Sequence, residues 1–236
     1  MGAPMSTKSE HGSAPQVTAE PRCDDTGRAF AGSQRQIQFY VNDQPLVLNQ
    51  AISDAFKKSF SLRWVSPLRS DGYREYWDSA FLKALGLSEH CKELNRFWPS
   101  GGAHWDALAR VGETGVLLVE AKSHVSEIYG NGCGAKAKSS IEKIDGAIAA
   151  TKEWLHISQQ ADWKGPLYQS ANRLAYLYFF RKLKIEAWLV NVHFTDDHSI
   201  STPTSRADWQ GGIADVKKLL GIGEIPHCAD VFLPAV

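Results

Sequence analysis

Disulfide and zinc-binding patterns are what this sequence most plainly lacks. Its 236 residues hold four cysteines, Cys23, Cys91, Cys133 and Cys228, far apart and never in a Cys-x-x-Cys pair. That spacing excludes a disulfide framework and a zinc knuckle. Net charge is also lacking, with 26 Lys plus Arg against 26 Asp plus Glu. A uniformly basic nucleic-acid binder is therefore excluded, and any phosphate-tracking surface has to come from local clusters. No apolar run approaches membrane-spanning length, and the first residues contain no secretory h-region. The expectation is a protein of the reducing cytoplasm with no membrane partner. There is no Gly-x-Ser-x-Gly motif, so a metal-free hydrolase of that type has no support.

What is present suffices for a sizeable core: hydrophobic residues make up 43% of the chain and aromatic residues 11%. Residues 1–34 are rich in Ser, Gly, Pro and Ala without periodic apolar positions, which predicts a flexible tail. Residues 35–236 are expected to form a single domain. Within it, Gln36–Val47 alternates Ile37, Phe39 and Val41 with polar neighbours, and Asn42–Pro45 reads as a turn. This predicts an N-terminal hairpin that either packs on the core or makes a dimer contact, so a homodimer is compatible with the sequence.

The informative stretch is His104–His124. Two apolar-rich segments flank Gly112-Glu-Thr-Gly115, the pattern of a β-hairpin. Alternation along the strands puts His104, Asp106, Leu108 and Arg110 on one face of the first. It puts Leu118, Glu120, Lys122 and His124 on one face of the second. Hairpin closure brings Asp106 across from the Glu120–Lys122 region. Two converging carboxylates suit Mg²⁺, which takes one or two carboxylates with waters and phosphate oxygens. The adjoining lysine can orient or help deprotonate a water. The plain alternative is a structural salt bridge on a solvated sheet face.

Trp105-Asp106-Ala107 followed by Val119-Glu120-Ala121-Lys122 resembles the core signature of the PD-(D/E)XK nuclease superfamily, over about Tyr73 to Phe194. The sequence departs from that signature at the proline before the aspartate, since Trp105 stands there and Pro99 lies upstream. The resemblance implies a restriction-endonuclease-like αβββαβ core, an α/β fold with a mixed sheet flanked by helices. It also implies a metal-dependent phosphodiesterase, in particular a DNA endonuclease, with DNA expected over RNA. Asp106, Glu120 and the Ala121 carbonyl would hold Mg²⁺ or Mn²⁺, and Lys122 would position the nucleophile. A third acid would come from a helix before the strands. The apolar spacing of Tyr73, Tyr76, Trp77, Ala80, Phe81 and Ala84 predicts that helix, with Glu75 as the third acid and Asp78 as its competitor. Gln169 matches the family's helical glutamine, and Arg173, one turn on, replaces an aromatic and is expected to bind phosphate or pair with an acid. The alternative class is a nuclease-fold module that binds nucleic acid or protein without catalysis.

Other candidates rest on position alone. His124 continues the Glu120 face and either touches phosphate or sits idle on the rim. Lys136 and Lys138 follow the Gly130–Gly134 loop and either hold a nucleic-acid backbone or decorate a solvated helix. Asp196-Asp197-His198 invites a metal reading, against which stands the rarity of convergence within one loop. Ser140–Gln159 and Tyr168–Lys182 read as helices, and Lys184–Phe194 as a buried strand parallel to an earlier one. A capping box at Ser205–Asp208 opens a last helix, and Asp230–Pro234 is expected to form an edge strand.

Overall fold

Eight consecutive buried residues, Gly115–Lys122, form the central strand of one mixed sheet. The computed structural model describes residues 22–236. Within them the sheet order is β1 (Leu62–Ser66), β2 (Ala107–Val111), β3 (Gly115–Lys122), β4 (Ala187–Thr195), β5 (Cys228–Pro234). Strand β2 runs antiparallel to both its neighbours, β1 and β3; β4 runs parallel to β3, and β5 parallel to β4. Seven α-helices accompany them among the described residues: α1 (Gly32–Asn42), α2 (Pro45–Phe56), α3 (Asp78–Ala84), α4 (Cys91–Phe97), α5 (Lys138–Trp154), α6 (Tyr168–Lys182) and α7 (Arg206–Leu220). The chain is thus α/β.

The helices lie on both faces. Leu117, Val119 and Ala121 of β3 pack with Val190 and Val192 of β4 against Ile37, Tyr40, Leu48 and Ile52 of α1 and α2. Leu108, Leu118 and Leu189 face the other way, against α3 to α7. A strand covered on both sides has no reason to alternate apolar with polar, hence the near-continuous apolar runs of β3 and β4. Full burial of each such side chain contributes about 1.5–3 kcal/mol. Polar residues at these positions, Glu120 and Lys122 on β3, are therefore exceptions that require partners.

The expected N-terminal hairpin is two helices instead. Ile37, Tyr40 and Val41 are buried at spacings of three and one, which a helix satisfies as well as the strand alternation does. Pro45 opens α2 at its first turn, where its missing N–H costs nothing. The polar positions of α1 are bonded: Gln36 exchanges two hydrogen bonds with the backbone of Val236, and Gln38 Oε1 accepts from Ala29 N–H. This pair of helices packs on the chain's own sheet. Of the expected tail, residues 1–21 lie outside the described residues. From Arg22 onward the chain is described, mostly exposed as far as Ala31, with a Cys23–Ala29 bridge, Ala29 buried and α1 starting at Gly32.

The helix expected from Tyr73 is shorter, Asp78–Ala84. Residues before it run extended, bridging Tyr76 to Trp105. Strand β1 and helix α4 have no counterpart in the sequence reading. The hairpin, α6, α7 and the edge position of β5 follow it closely. The α7 capping box forms, with Ser205 and Asp208 bonding reciprocally, and Gly221 ends that helix at φ +69°.

Leu48→Ala tests the assignment of α2 to the core, since this side chain is wholly buried. Urea denaturation is expected to show a loss of about 2–5 kcal/mol. A loss within the range of ordinary surface substitutions would contradict it.

Candidate active site

The hairpin register continues one step beyond the Ala107–Val119 pair, so Asp106 stands opposite Glu120. Asp106 Oδ2 accepts a hydrogen bond from the Ala121 N–H (2.7 Å), which fixes its carboxyl at the end of β2. Glu120 is 5% exposed and points under α6. Its Oε1 accepts from Lys122 Nζ (2.8 Å) and Gln169 Nε2 (2.6 Å), and its Oε2 from Arg173 Nε (2.6 Å). Lys122 Nζ also donates to Gln169 Oε1 (3.0 Å). Gln169 and Arg173, one helical turn apart on α6, thus both reach the β3 acid. Arg173 is held further by the His104 carbonyl and the Asn172 amide, and its guanidinium lies 4.9 Å from the Trp105 ring centre.

The two facing acids differ in electrostatics. Burial works against ionisation of Glu120, but the charges of Arg173 and Lys122 overcome it and hold the carboxyl below its usual range. Asp106 forms no ion pair among the described residues, and the Lys122 charge offsets little. Burial, then the charges of Glu120 and Glu75, push it well above its ordinary value of 3.8. Glu75 is raised as well, first by burial, although a hydrogen bond from Gln34 of α1 favours its charge. Glu75 is therefore near enough for its field to act on Asp106. It lies on the extended segment before α3 and not on a helix. Its competitor Asp78 is engaged elsewhere, accepting from the N–H groups of Gly101 and Gly102. A Cβ on Gly102 would stand 2.0 Å from Tyr176 Oη, so Gly102 allows close packing on the core, whereas Gly101 is needed for its positive φ of +78°.

Among the described residues no group of three or more His, Cys, Asp or Glu side chains is disposed to hold a metal ion. The donor set at β2–β3 is two carboxylates with adjacent backbone, which is within what Mg²⁺ accepts alongside waters. Burial first, and then the charges of Glu120 and Glu75, oppose ionisation of Asp106, and a cation between the two carboxyls would offset both. The residues fit a two-carboxylate ion site on those grounds, with Glu120 exchanging one of its present partners.

Several sequence candidates fall outside this cluster. Strand β3 ends at Lys122, and the chain turns so that His124 caps the 3-10 turn Val125–Ile128, its Nδ1 accepting from Ser126 N–H (3.0 Å). Its ring is not presented beside Glu120. Lys136 and Lys138 are exposed; Lys138 sits 3.9 Å from Glu142 one turn along α5, an ordinary solvated pair. Asp197 is buried and accepts from the N–H and hydroxyl of Ser199, a loop-forming role.

The structure adds residues that the sequence reading passed over. Trp77, 44% exposed, stacks on His104 with centroids 4.5 Å apart beside Asp106. On the Glu120 face, Asn191 of β4 is in register with Glu120, and Asp230 of β5 with Asn191. Asp106, Glu120, Asn191 and Asp230 thereby form one polar row across four strands. The available signal was the two polar interruptions, Asn191 and His193, at alternate positions in the apolar run of β4.

Comparison with protein-family models, with curated proteins and with solved structures finds no match in any of the three.

The Asp106 shift predicts a pH effect. With its folded pKa above its unfolded value, the native chain holds a proton that the unfolded chain has released. Stability attributable to this group therefore falls as pH rises from 3.8 through the raised native value, and stays lowered above it. Asp106→Asn can still accept from Ala121 N–H and escapes that penalty. In EDTA at pH 7 its Tm should exceed the wild type's, with the difference vanishing at acid pH. An equal or lower Tm at pH 7 would contradict the account.

Proposed function

We propose that the protein is a metal-dependent phosphodiesterase, a nuclease of the PD-(D/E)XK type acting on DNA. The observation that carries this is the convergence of Asp106, Glu120 and Lys122 at one end of the β2–β3 hairpin, beneath Gln169. The element order supports it: antiparallel β1–β2–β3, helices, then β4 parallel to β3, is compatible with the restriction-endonuclease-like core.

In this reading Asp106, Glu120 and the Ala121 carbonyl would hold the ion, with Glu75 near enough to influence them through its charge. A divalent ion held there supplies a low-pKa water and neutralises charge on the scissile phosphate. Lys122 Nζ, fixed between Glu120 and Gln169, is set to orient the attacking water or bind a non-bridging oxygen. Gln169 keeps Lys122 from collapsing onto Glu120 alone. Arg173 holds Glu120 ionised, so that the acid is ready to accept a cation without first losing a proton.

A second reading is favoured by one specific observation. Both Glu120 oxygens are already bonded to protein donors. An arrangement so closed is also what a catalytically inactive module of this fold would retain, with the cluster as a structural bridge.

The two separate in a plasmid-relaxation assay with Mg²⁺ or Mn²⁺. Wild type is expected to nick or linearise DNA, and Lys122→Ala to lose at least about 100-fold, the scale of a positioned acid–base or electrostatic group. Mg²⁺ should also raise the Tm of wild type and leave that of Asp106→Asn unmoved. Unchanged cleavage in Lys122→Ala moves the chemistry elsewhere; no cleavage by either protein, with metal-insensitive DNA binding, favours the inactive module.

A further inference from the structure

Beneath α6 and α7 a cavity of about 330 Å³ opens on the Glu120 face of the sheet. That is within the range of small-ligand sites. Glu120, Lys122 and Arg173 form one end, and Asn191, Asp230 and Lys217 the other. The walls between are aliphatic, with Leu174 from α6, Leu189 from β4, and Val216 and Leu220 from α7.

The polar end is built. Asp230 Oδ1 accepts from Asn191 Nδ2 (3.1 Å) and from His193 Nε2 (3.1 Å). His193 is itself buried and braced by Trp209 and Phe232, whose ring centres are 4.6 and 5.5 Å away. The carboxylate is thus locked in place. Its Oδ2 has no hydrogen-bond donor among the described residues; Lys217 Nζ stands 3.7 Å away on a flexible, partly exposed stem. A fixed acceptor at one end of a chamber with both aliphatic and polar walls suits a ligand that pairs an apolar body with an N–H at its edge.

The register sets the distance. Glu120, Asn191 and Asp230 occupy successive strands, so two strand spacings, about 9–10 Å, separate the acid of the proposed reaction centre from Asp230. One nucleotide spans such an interval from its phosphate to the far edge of its base.

We propose that this cavity receives the base of the nucleotide adjoining the phosphate bound at Asp106, Glu120 and Lys122, and that Asp230 Oδ2 selects bases carrying an exocyclic amino group. The inference rests on the nuclease reading for the identity of its occupant. A base entering the cavity leaves its stack, which restricts the substrate to single strands or to duplex positions that open at low cost.

The test is calorimetric titration of the whole protein, without metal, with dAMP, dCMP and dTMP. The amino-bearing nucleotides should bind at least about tenfold more tightly than dTMP, because only they offer a donor to the fixed, partly buried Asp230 Oδ2. Asp230→Asn should remove that preference, and Val216→Trp, which fills the chamber, should abolish binding while thermal melting shows both variants folded. Equal binding of dTMP and dAMP, or unchanged dAMP binding by Val216→Trp, overturns the proposal. Metal-dependent cleavage with no mononucleotide binding overturns it and leaves the nuclease reading standing. Selective dAMP binding without any DNA cleavage supports the cavity assignment and overturns the nuclease reading.

Discussion

An ionised carboxylate under a helix, in the middle of a sheet, is the constraint on which the rest of this structure depends. Glu120 cannot be left unpaired at that depth, since an uncompensated buried charge costs several kcal/mol. Lys122 from its own strand and Arg173 from α6 compensate it, and Gln169 bonds to both the acid and the lysine. These contacts fix how α6 sits on β3. They also dictate that α6 carry polar side chains on a helix buried on most sides, which a purely structural helix would avoid.

The same cluster is unevenly balanced. Positive charge gathers at Glu120, while Asp106, directly across the hairpin, is buried, feels the fields of Glu120 and Glu75 and, among the described residues, receives one backbone N–H. A protein under selection for stability alone gains nothing from that arrangement, because an apolar residue or an amide at position 106 would be less costly. Paired titratable groups with opposite displacements are characteristic of reaction centres. The polar row from Asp106 to Asp230 extends the pattern over four strands and continues it into the cavity beneath α7.

Much of this was legible in the sequence where one local rule decides. Two apolar segments flanking the Gly112–Gly115 loop dictate the hairpin, and side-chain alternation then puts Asp106, Glu120 and Lys122 on one face. The four-residue spacing of Gln169 and Arg173 gives their shared side of α6. Legibility failed where two periods fit one pattern. Ile37, Phe39 and Val41 alternate like a strand, yet Ile37, Tyr40 and Val41 make an equally good helical stripe, and packing on the sheet selects the helix. The stripe from Tyr73 to Ala84 misled in the opposite way, because Tyr76 bridges to Trp105 and holds the chain extended until Asp78. His124 was assigned by extrapolating β3 past Lys122, where the capping box with Ser126 and Glu127 ends it. Asp230 escaped notice because its partners, Asn191 and His193, lie about 40 residues away in the chain and meet it only through strand register.

The central claim is that Asp106 and Glu120 together hold a divalent ion beside Lys122. It is tested most directly by diffraction from crystals soaked in Mn²⁺, read by anomalous scattering. The account predicts a peak between the two carboxyl groups, bonded to both, with at least one of the present donors to Glu120 displaced. Mn²⁺ bound only elsewhere, with Glu120 still held by Lys122, Gln169 and Arg173 together, would contradict it.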